Sequence, residues 1–188
     1  MDRRAAVAAL LQDRGDTLVV TGLGSPSYDV HALGDHPGNY YLWGAMGSAA
    51  LVGLGLARAR PDARVLVITG DGEQLMGLGG LATIAVAAPA HLTIAVIDNG
   101  HFGETGMQTS HTGFGIALDR VAAACGFAVA GVATDMAGVA AIRAGLSAPG
   151  PRLHVIKVRA ENLPRSLPPR DAVFIKNRFR QHLGLATA

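Results

Sequence analysis

The apolar run Val65-Leu66-Val67-Ile68-Thr69 stops at Gly70-Asp71-Gly72, and after 25 intervening residues a second run, Leu92 to Ile97, stops at Asp98-Asn99. Two strand-length apolar segments that each end in oxygen-bearing residues constrain the fold strongly. They require buried strands that deliver polar groups to one edge of a sheet, where open α/β sheets place their ligands. An aspartate between two glycines lets the backbone turn sharply and approach a charged group without side-chain interference. Its carboxylate points into the crevice beyond the strand end, and Asn99 supplies a neutral oxygen from a neighbouring strand. One carboxylate and one amide oxygen suit Mg²⁺, which takes hard oxygen ligands and fills its other positions with water or phosphate. Gly-Asp-Gly alone is also ordinary turn chemistry. The distant Asp98-Asn99 is what makes it a ligand site.

Around these two runs the chain alternates between short apolar segments and helix-length ones. Thr17 to Thr21, Arg64 to Ile68, Leu92 to Ile97, Phe127 to Val132 and Leu153 to Val158 read as strands. Ala45 to Ala59, Gln74 to Ala87, Ile116 to Ala124 and Met136 to Leu146 read as helices, after an alanine-rich helical pattern near the start. This rhythm predicts an α/β fold, a doubly wound parallel sheet with helices on both faces and right-handed crossovers. The helix after Gly44 is small and apolar on every side, so its burial requires a partner surface. A final helix is predicted from Asp171 to Leu183, with Lys176, Arg178 and Arg180 on a solvated or subunit-facing surface. No internal repeat or interior linker divides the chain, so residues 1–188 read as one domain.

Composition agrees. Apolar residues make up 49% and aromatics 5%, with 25 glycines, so the core is built from Ala, Val, Leu and Ile with close backbone approach. A net charge of +2, with no basic face before the C-terminal helix, does not imply nucleic acid. Cys125 is the only cysteine, so the chain by itself holds no internal disulfide, Cys-rich zinc site or iron–sulfur cluster, and a reducing cytoplasm fits best. No leader pattern opens the sequence. Gly77 to Ile97 lacks Asp, Glu, Lys and Arg and has membrane-spanning length, but Pro89 and His91 interrupt it, so it reads as a helix, a loop and a strand rather than a span.

The segment Gly70-Asp71-Gly72-Glu73 through Asp98-Asn99-Gly100-His101-Phe102-Gly103-Glu104-Thr105-Gly106-Met107-Gln108, followed by Ser110-His111-Thr112, resembles the diphosphate-binding domain of thiamine diphosphate enzymes. Within that superfamily it is similar to the sulfopyruvate and phosphonopyruvate decarboxylases. The resemblance implies that Asp71, the Asn99 side chain and the backbone carbonyl of His101 ligate Mg²⁺. It implies that Gly70 and Gly72 shape the turn, that Gly72 and Glu73 offer backbone N–H groups to the diphosphate, and that Thr21 and Gly22 make a second contact with it. Phe102 and Gly103 fall in the same cofactor-binding loop. Gly44-Ala45-Met46-Gly47 matches the turn that grips the bent cofactor, with the Gly44 carbonyl accepting from the pyrimidine amino group and Met46 wedged between the rings. Glu104, His101 and His111 are the candidates for handling protons and orienting substrate. His91, His154 and His182 have no such context and read as structural or surface histidines. Tyr41 and Trp43 read equally as pocket wall or interface. The run Gly22-x-Gly24-x-x-Ser27 lacks the third glycine of a dinucleotide fingerprint, and no helix is evident after it.

A thiamine enzyme also needs a glutamate at the pyrimidine N1′, which in the family belongs to a separate pyrimidine-binding domain. The chain has three glutamates, Glu73, Glu104 and Glu161, and none lies in such a domain. The resemblance therefore implies the diphosphate-binding subunit of a split 2-oxo acid decarboxylase, whose partner chain supplies that glutamate and whose substrate carries an anionic tail. Two alternatives stay open on sequence alone: another thiamine diphosphate enzyme, either a carboligase or an oxidoreductase half, and a non-catalytic cofactor-binding module.

Overall fold

In the computed structural model, which describes residues 1–186, the apolar runs become a single six-stranded sheet. Its strands are β1 (Leu18–Thr21), β2 (Asn39–Tyr41), β3 (Val65–Gly70), β4 (Leu92–Asp98), β7 (Val129–Ala133) and β8 (Arg152–Lys157), in the order β2-β1-β3-β4-β8-β7. Every pairing is parallel. A separate two-residue antiparallel pair joins β5 (His101–Phe102) to β6 (Gln108–Thr109).

The central strands are apolar on both faces because helices cover both. Val65 and Val67 point into one core with Ile94, Val96 and Val155, while Leu66 and Ile68 point into the other with Ala95, Ile97 and Ile156. Helices α3 (Ala49–Ala59), α5 (Gly80–Ala87) and α6 (Leu118–Cys125) contribute to the first core, whereas α1 (Arg3–Leu11), α2 (Ser25–Ala32), α7 (Met136–Ala144) and α8 (Ala172–His182) contribute to the second. Continuous apolar runs, rather than alternating ones, are the signature of this double burial.

From β1 the chain steps outward to β2, then returns to the other side of β1 for β3 and proceeds to β4. The winding therefore reverses between β1 and β3. At such a switch point the connections leave in opposite directions and open a crevice beyond the carboxyl ends of the two strands. Gly22 and Asp71 begin there.

Several boundaries differ from the sequence expectation. The segment Gln74 to Ala87 is two helices, α4 (Asp71–Met76) and α5, broken at Gly77 to Gly79. A Cβ on Gly77 would fall 2.0 Å from the Gly47 carbonyl oxygen, so only glycine allows the turn to reach the 44–47 loop. The helix expected from Ala45 begins at Ala49, because Gly44, Ala45 and Gly47 have positive φ. Contrary to the sequence reading, a helix does follow Gly24. It is α2, whose buried positions include Pro26, Ser27 and Asp29 and therefore show no apolar stripe. The edge strand β2 has three residues, too few to register as a period.

Helix α3 buries Ala49, Ala50, Gly53, Leu54 and Ala57 against the sheet, so this chain supplies most of the surface its composition called for, and only the side with Leu51 and Gly55 stays exposed among the described residues. Among the described residues no helix is long and apolar enough to cross a membrane. On α8, Arg178 is ion-paired to Asp35 and donates to the Asn39 carbonyl at 3.0 Å, which docks the basic helix onto β2.

Candidate cofactor site

β3 hands over directly to α4, whose first residue is Asp71, and β4 runs through Asp98, so Asn99 is the first residue beyond it. Gly70 is the register partner of Ile97. The two strand ends therefore open together, and Asp71 and Asn99 line one cleft with Met46, His101, Phe102 and Glu104.

Asp71 is buried and held on one side only. Its Oδ2 accepts hydrogen bonds from Ser110 Oγ at 2.5 Å and Thr112 Oγ1 at 2.9 Å. Thr112 Oγ1 also lies 2.8 Å from Asp98 Oδ1, and Asp98 accepts from the Gly100 N–H at 2.9 Å and from Lys157 Nζ at 2.5 Å. Burial pushes the Asp71 carboxyl above the ordinary carboxylate range, the Ser110 hydrogen bond pulls it back, and the nearby Asp98 raises it again. The second oxygen, Oδ1, makes no side-chain hydrogen bond among the described residues and is available to the cleft. A cation there would offset both burial and like-charge repulsion. Asn99 Oδ1 accepts from the His101 N–H at 2.9 Å, which fixes the amide at the cleft edge. A buried half-engaged carboxylate beside an oriented amide is a donor set that fits a hard divalent cation.

The clamp on Asp71 has a measurable consequence. Thr112→Val keeps the shape but removes the hydroxyl that ties Asp71 to Asp98, and losing a partner behind a metal ligand typically costs 10- to 100-fold in metal affinity. The Mg²⁺ concentration needed for half-maximal cofactor binding is expected to rise by about that factor, with Thr112→Ser restoring it. An unchanged Mg²⁺ requirement in a folded Thr112→Val protein would show that the hydroxyl does not orient Asp71.

Glu73 lines the cleft at its floor, almost fully buried. Its Oε2 accepts from Thr69 Oγ1 at 3.0 Å, and a Cβ on Gly22 would meet that oxygen at 1.7 Å. Burial raises this carboxyl, and the Thr69 hydrogen bond and the backbone N–H groups of Ala49, Leu23 and Gly47 partly offset the shift. Only Thr69 reaches full hydrogen-bond geometry, and Oε1 has no partner. The acid packs together the β1 loop, the 44–49 turn and α4, which are three walls of the cleft.

The other expected residues divide clearly. Gly70, Gly72, Phe102 and Gly103 line the cleft, and so does Met46, which is 46% exposed. Gly44 is exposed on the same turn. Thr21 and Gly22 form buried floor: Ser27 Oγ lies 2.6 Å from Thr21 Oγ1 and donates to the Gly22 carbonyl at 2.7 Å. The surface above them belongs to Leu23, Ser25 and Pro26. His101 Nδ1 is 2.9 Å from the Asn99 carbonyl, which can only accept, so Nδ1 donates and Nε2 is the ring nitrogen not engaged by that contact. Glu104 spans the cleft mouth between Ser25 and Arg165. His111 is exposed, edge-on to Phe102 with ring centroids 6.2 Å apart, and does not line the cleft. Sequence spacing offered no sign of Ser110 and Thr112 as the clamp on Asp71, since they lie 39 and 41 residues away.

Residues 24–156 match the family of the thiamine pyrophosphate (thiamine diphosphate) enzyme, C-terminal TPP binding domain. The chain belongs to this family. Among relatives of this TPP-binding domain, the sulfopyruvate decarboxylase subunit beta of Methanothermobacter thermautotrophicus is 34% identical, with the alignment covering 100% of this chain and 98% of the relative. The phosphonopyruvate decarboxylase of Streptomyces viridochromogenes is 39% identical over 86% of this chain, which spans 41% of that longer protein. The same TPP-binding fold is found in the benzoylformate decarboxylase of Polynucleobacter necessarius, at a TM-score of 0.68 and 19% identity over 86% of this chain and 34% of that one.

Proposed function

We propose that this chain is the diphosphate- and Mg²⁺-binding subunit of a split thiamine diphosphate-dependent 2-oxo acid decarboxylase, acting on a substrate with an anionic tail such as sulfopyruvate or phosphonopyruvate. The observation that carries this reading is that the chain matches a beta subunit from end to end while none of its three glutamates lies in a pyrimidine-binding domain. Glu73 is buried under Gly22, Glu104 is bound to Ser25 and Arg165, and Glu161 accepts from Arg159 at 3.0 Å. A separate pyrimidine-binding subunit would supply the missing carboxylate. The exposed Met46 turn and the open side of α3 offer it a surface.

Thiamine diphosphate, when bound, supplies the electron sink on which a 2-oxo acid loses CO₂. The protein's part is placement and electrostatics. Asp71 Oδ1, the Asn99 side chain and the His101 carbonyl would hold Mg²⁺, and the backbone N–H groups of Gly72 and Glu73 would face the diphosphate. Gly44 and Met46 would seat the pyrimidine against the partner chain. His101 Nε2, with Nδ1 committed to Asn99, is the ring nitrogen of this chain best prepared to take or deliver a proton at the cleft.

The test is CO₂ release from sulfopyruvate and phosphonopyruvate by the chain alone and by the chain mixed with a separately expressed pyrimidine-binding subunit. No turnover alone and turnover on mixing is expected. Full activity from the lone chain would overturn the split reading, and transfer of the two-carbon fragment left after CO₂ loss from pyruvate to an aldehyde, in place of its protonation, would move the chain to the carboligases.

A further inference from the structure

The segment between β8 and α8, rich in proline, runs beside Glu104 at the edge of the cleft and is tied down at three points. Arg4 Nη2 donates to the Pro164 carbonyl at 2.8 Å, His31 Nδ1 lies 2.9 Å from Ser166 Oγ, and Trp43 Nε1 donates to the Pro169 carbonyl at 2.7 Å. The first two anchors flank Arg165 directly, so its backbone is held from both sides. Its side chain reaches the cleft wall at Glu104. Nη2 donates to Glu104 Oε2 at 2.9 Å, Glu104 Oε1 accepts from Ser25 Oγ at 3.3 Å, and the guanidinium carbon sits 5.8 Å from the centre of the Tyr28 ring.

Two arginines stand near the cleft in different states, Arg3 in its wall and Arg165 outside it, joined to the wall through Glu104. Arg3 is 4% exposed and committed, its Nε to Asp29 and its Nη1 to the Glu161 carbonyl. Arg165 is 61% exposed and, among the described residues, engages Glu104 through one nitrogen only. Its other donors are open. A guanidinium presents its donors in a fixed planar fork suited to two oxygens of a carboxylate or a tetrahedral oxyanion. An exposed ion pair adds little to stability, so the pairing with Glu104 holds the fork in place without competing strongly for it. The aromatic ring beneath limits its swing.

We propose that Arg165 is the specificity residue of this chain for the anionic tail of the substrate, with Glu104, Ser25 and Tyr28 positioning its guanidinium at the edge of the cleft. The ligand class is a short 2-oxo acid ending in a sulfonate or phosphonate. This assignment rests on the decarboxylase reading above and adds to it the residue that distinguishes such acids from pyruvate.

The experiment uses the chain assembled with its partner subunit, as wild type, Arg165→Gln and Arg165→Lys, each checked for unchanged melting temperature. Two quantities are measured: kcat and KM for sulfopyruvate and pyruvate, and the affinity for 3-phosphonopropionate, an unreactive acid with the same kind of tail, by calorimetry. For Arg165→Gln the preference for sulfopyruvate over pyruvate is expected to fall about 10- to 100-fold through the sulfopyruvate KM, the usual worth of a hydrogen bond to a charged group. Phosphonopropionate affinity is expected to fall by a similar factor, with part of both restored in Arg165→Lys. Equal losses in kcat/KM for the two substrates, or an unchanged preference, would overturn the assignment. A wild-type assembly that turns over neither acid would instead refute the decarboxylase reading, and phosphonopropionate binding unaffected by Arg165→Gln would then refute the role of Arg165 on its own.

Discussion

Asp71→Ala is expected to abolish Mg²⁺-dependent binding of thiamine diphosphate while leaving the ligand-free chain at least as stable as wild type. Both halves follow from the same geometry. Asp71 is 3% exposed, and burial and the neighbouring Asp98 disfavour its charge. Removing the carboxylate therefore relieves a cost in the free protein, and the hydroxyls keep partners, because Ser110 Oγ can donate to Thr112 Oγ1 at 2.9 Å while Thr112 gives its one proton to Asp98. Binding is different. The cation loses its only charged protein ligand in the proposed set, and the diphosphate loses the ion that neutralises it. A ligand present at a hundred times its dissociation constant stabilises a protein by about 2.7 kcal/mol. That increment, read as a shift in melting temperature on adding Mg²⁺ and cofactor to the chain with its partner, is expected to vanish in Asp71→Ala. A variant that keeps the wild-type shift would remove Asp71 from the metal site.

Asp29→Ala is expected to be the most damaging substitution for stability. Asp29 is fully buried on α2 and holds Arg3, 4% exposed, and Arg4, whose Nε donates at 3.1 Å, both on α1. Taking away the carboxylate leaves the Arg3 guanidinium buried with only the Glu161 carbonyl. Breaking a buried ion pair in this one-sided way costs about 3–5 kcal/mol, a large share of the about 5–15 kcal/mol that stabilises a typical domain. Urea denaturation should show that loss. Arg4→Ala, which removes a more exposed partner, should cost much less. The site should feel the change too, because α2 carries Ser25 and Pro26 into the cleft wall and Arg3 lines it. A loss below about 1 kcal/mol would mean that Arg3 finds water once Asp29 is gone.

Much of the architecture was legible in the chain. The five apolar runs read as strands are five of the six strands of the main sheet, each displaced by no more than two residues at either end. The elements missed were those whose burial is polar or whose length is short. Helix α2 buries Ser27 and Asp29 through side-chain hydrogen bonds, and β2 has three residues, so neither carries an apolar period. The 44–47 loop and the Gly77 break were hidden for another reason. They are made by one backbone pressing on another, which leaves glycines in the sequence but does not name the contact.

The sequence by itself determined the fold class and set Asp71 and Asn99, the proposed ligand pair, at two strand ends. Both are local properties: strands buried on two faces must be apolar throughout, and a residue that directly follows a parallel strand stands at the edge of the crevice beyond it. What stands around that pair was decided only by tertiary structure. Ser110 and Thr112 reach Asp71 across 39 and 41 residues, Arg165 reaches Glu104 across 61, and Arg3 reaches Asp29 across 26. Periodicity and propensity specify what each segment becomes, but not the order in which strands assemble. That order, β2-β1-β3-β4-β8-β7, is what brings the loops together over the switch point.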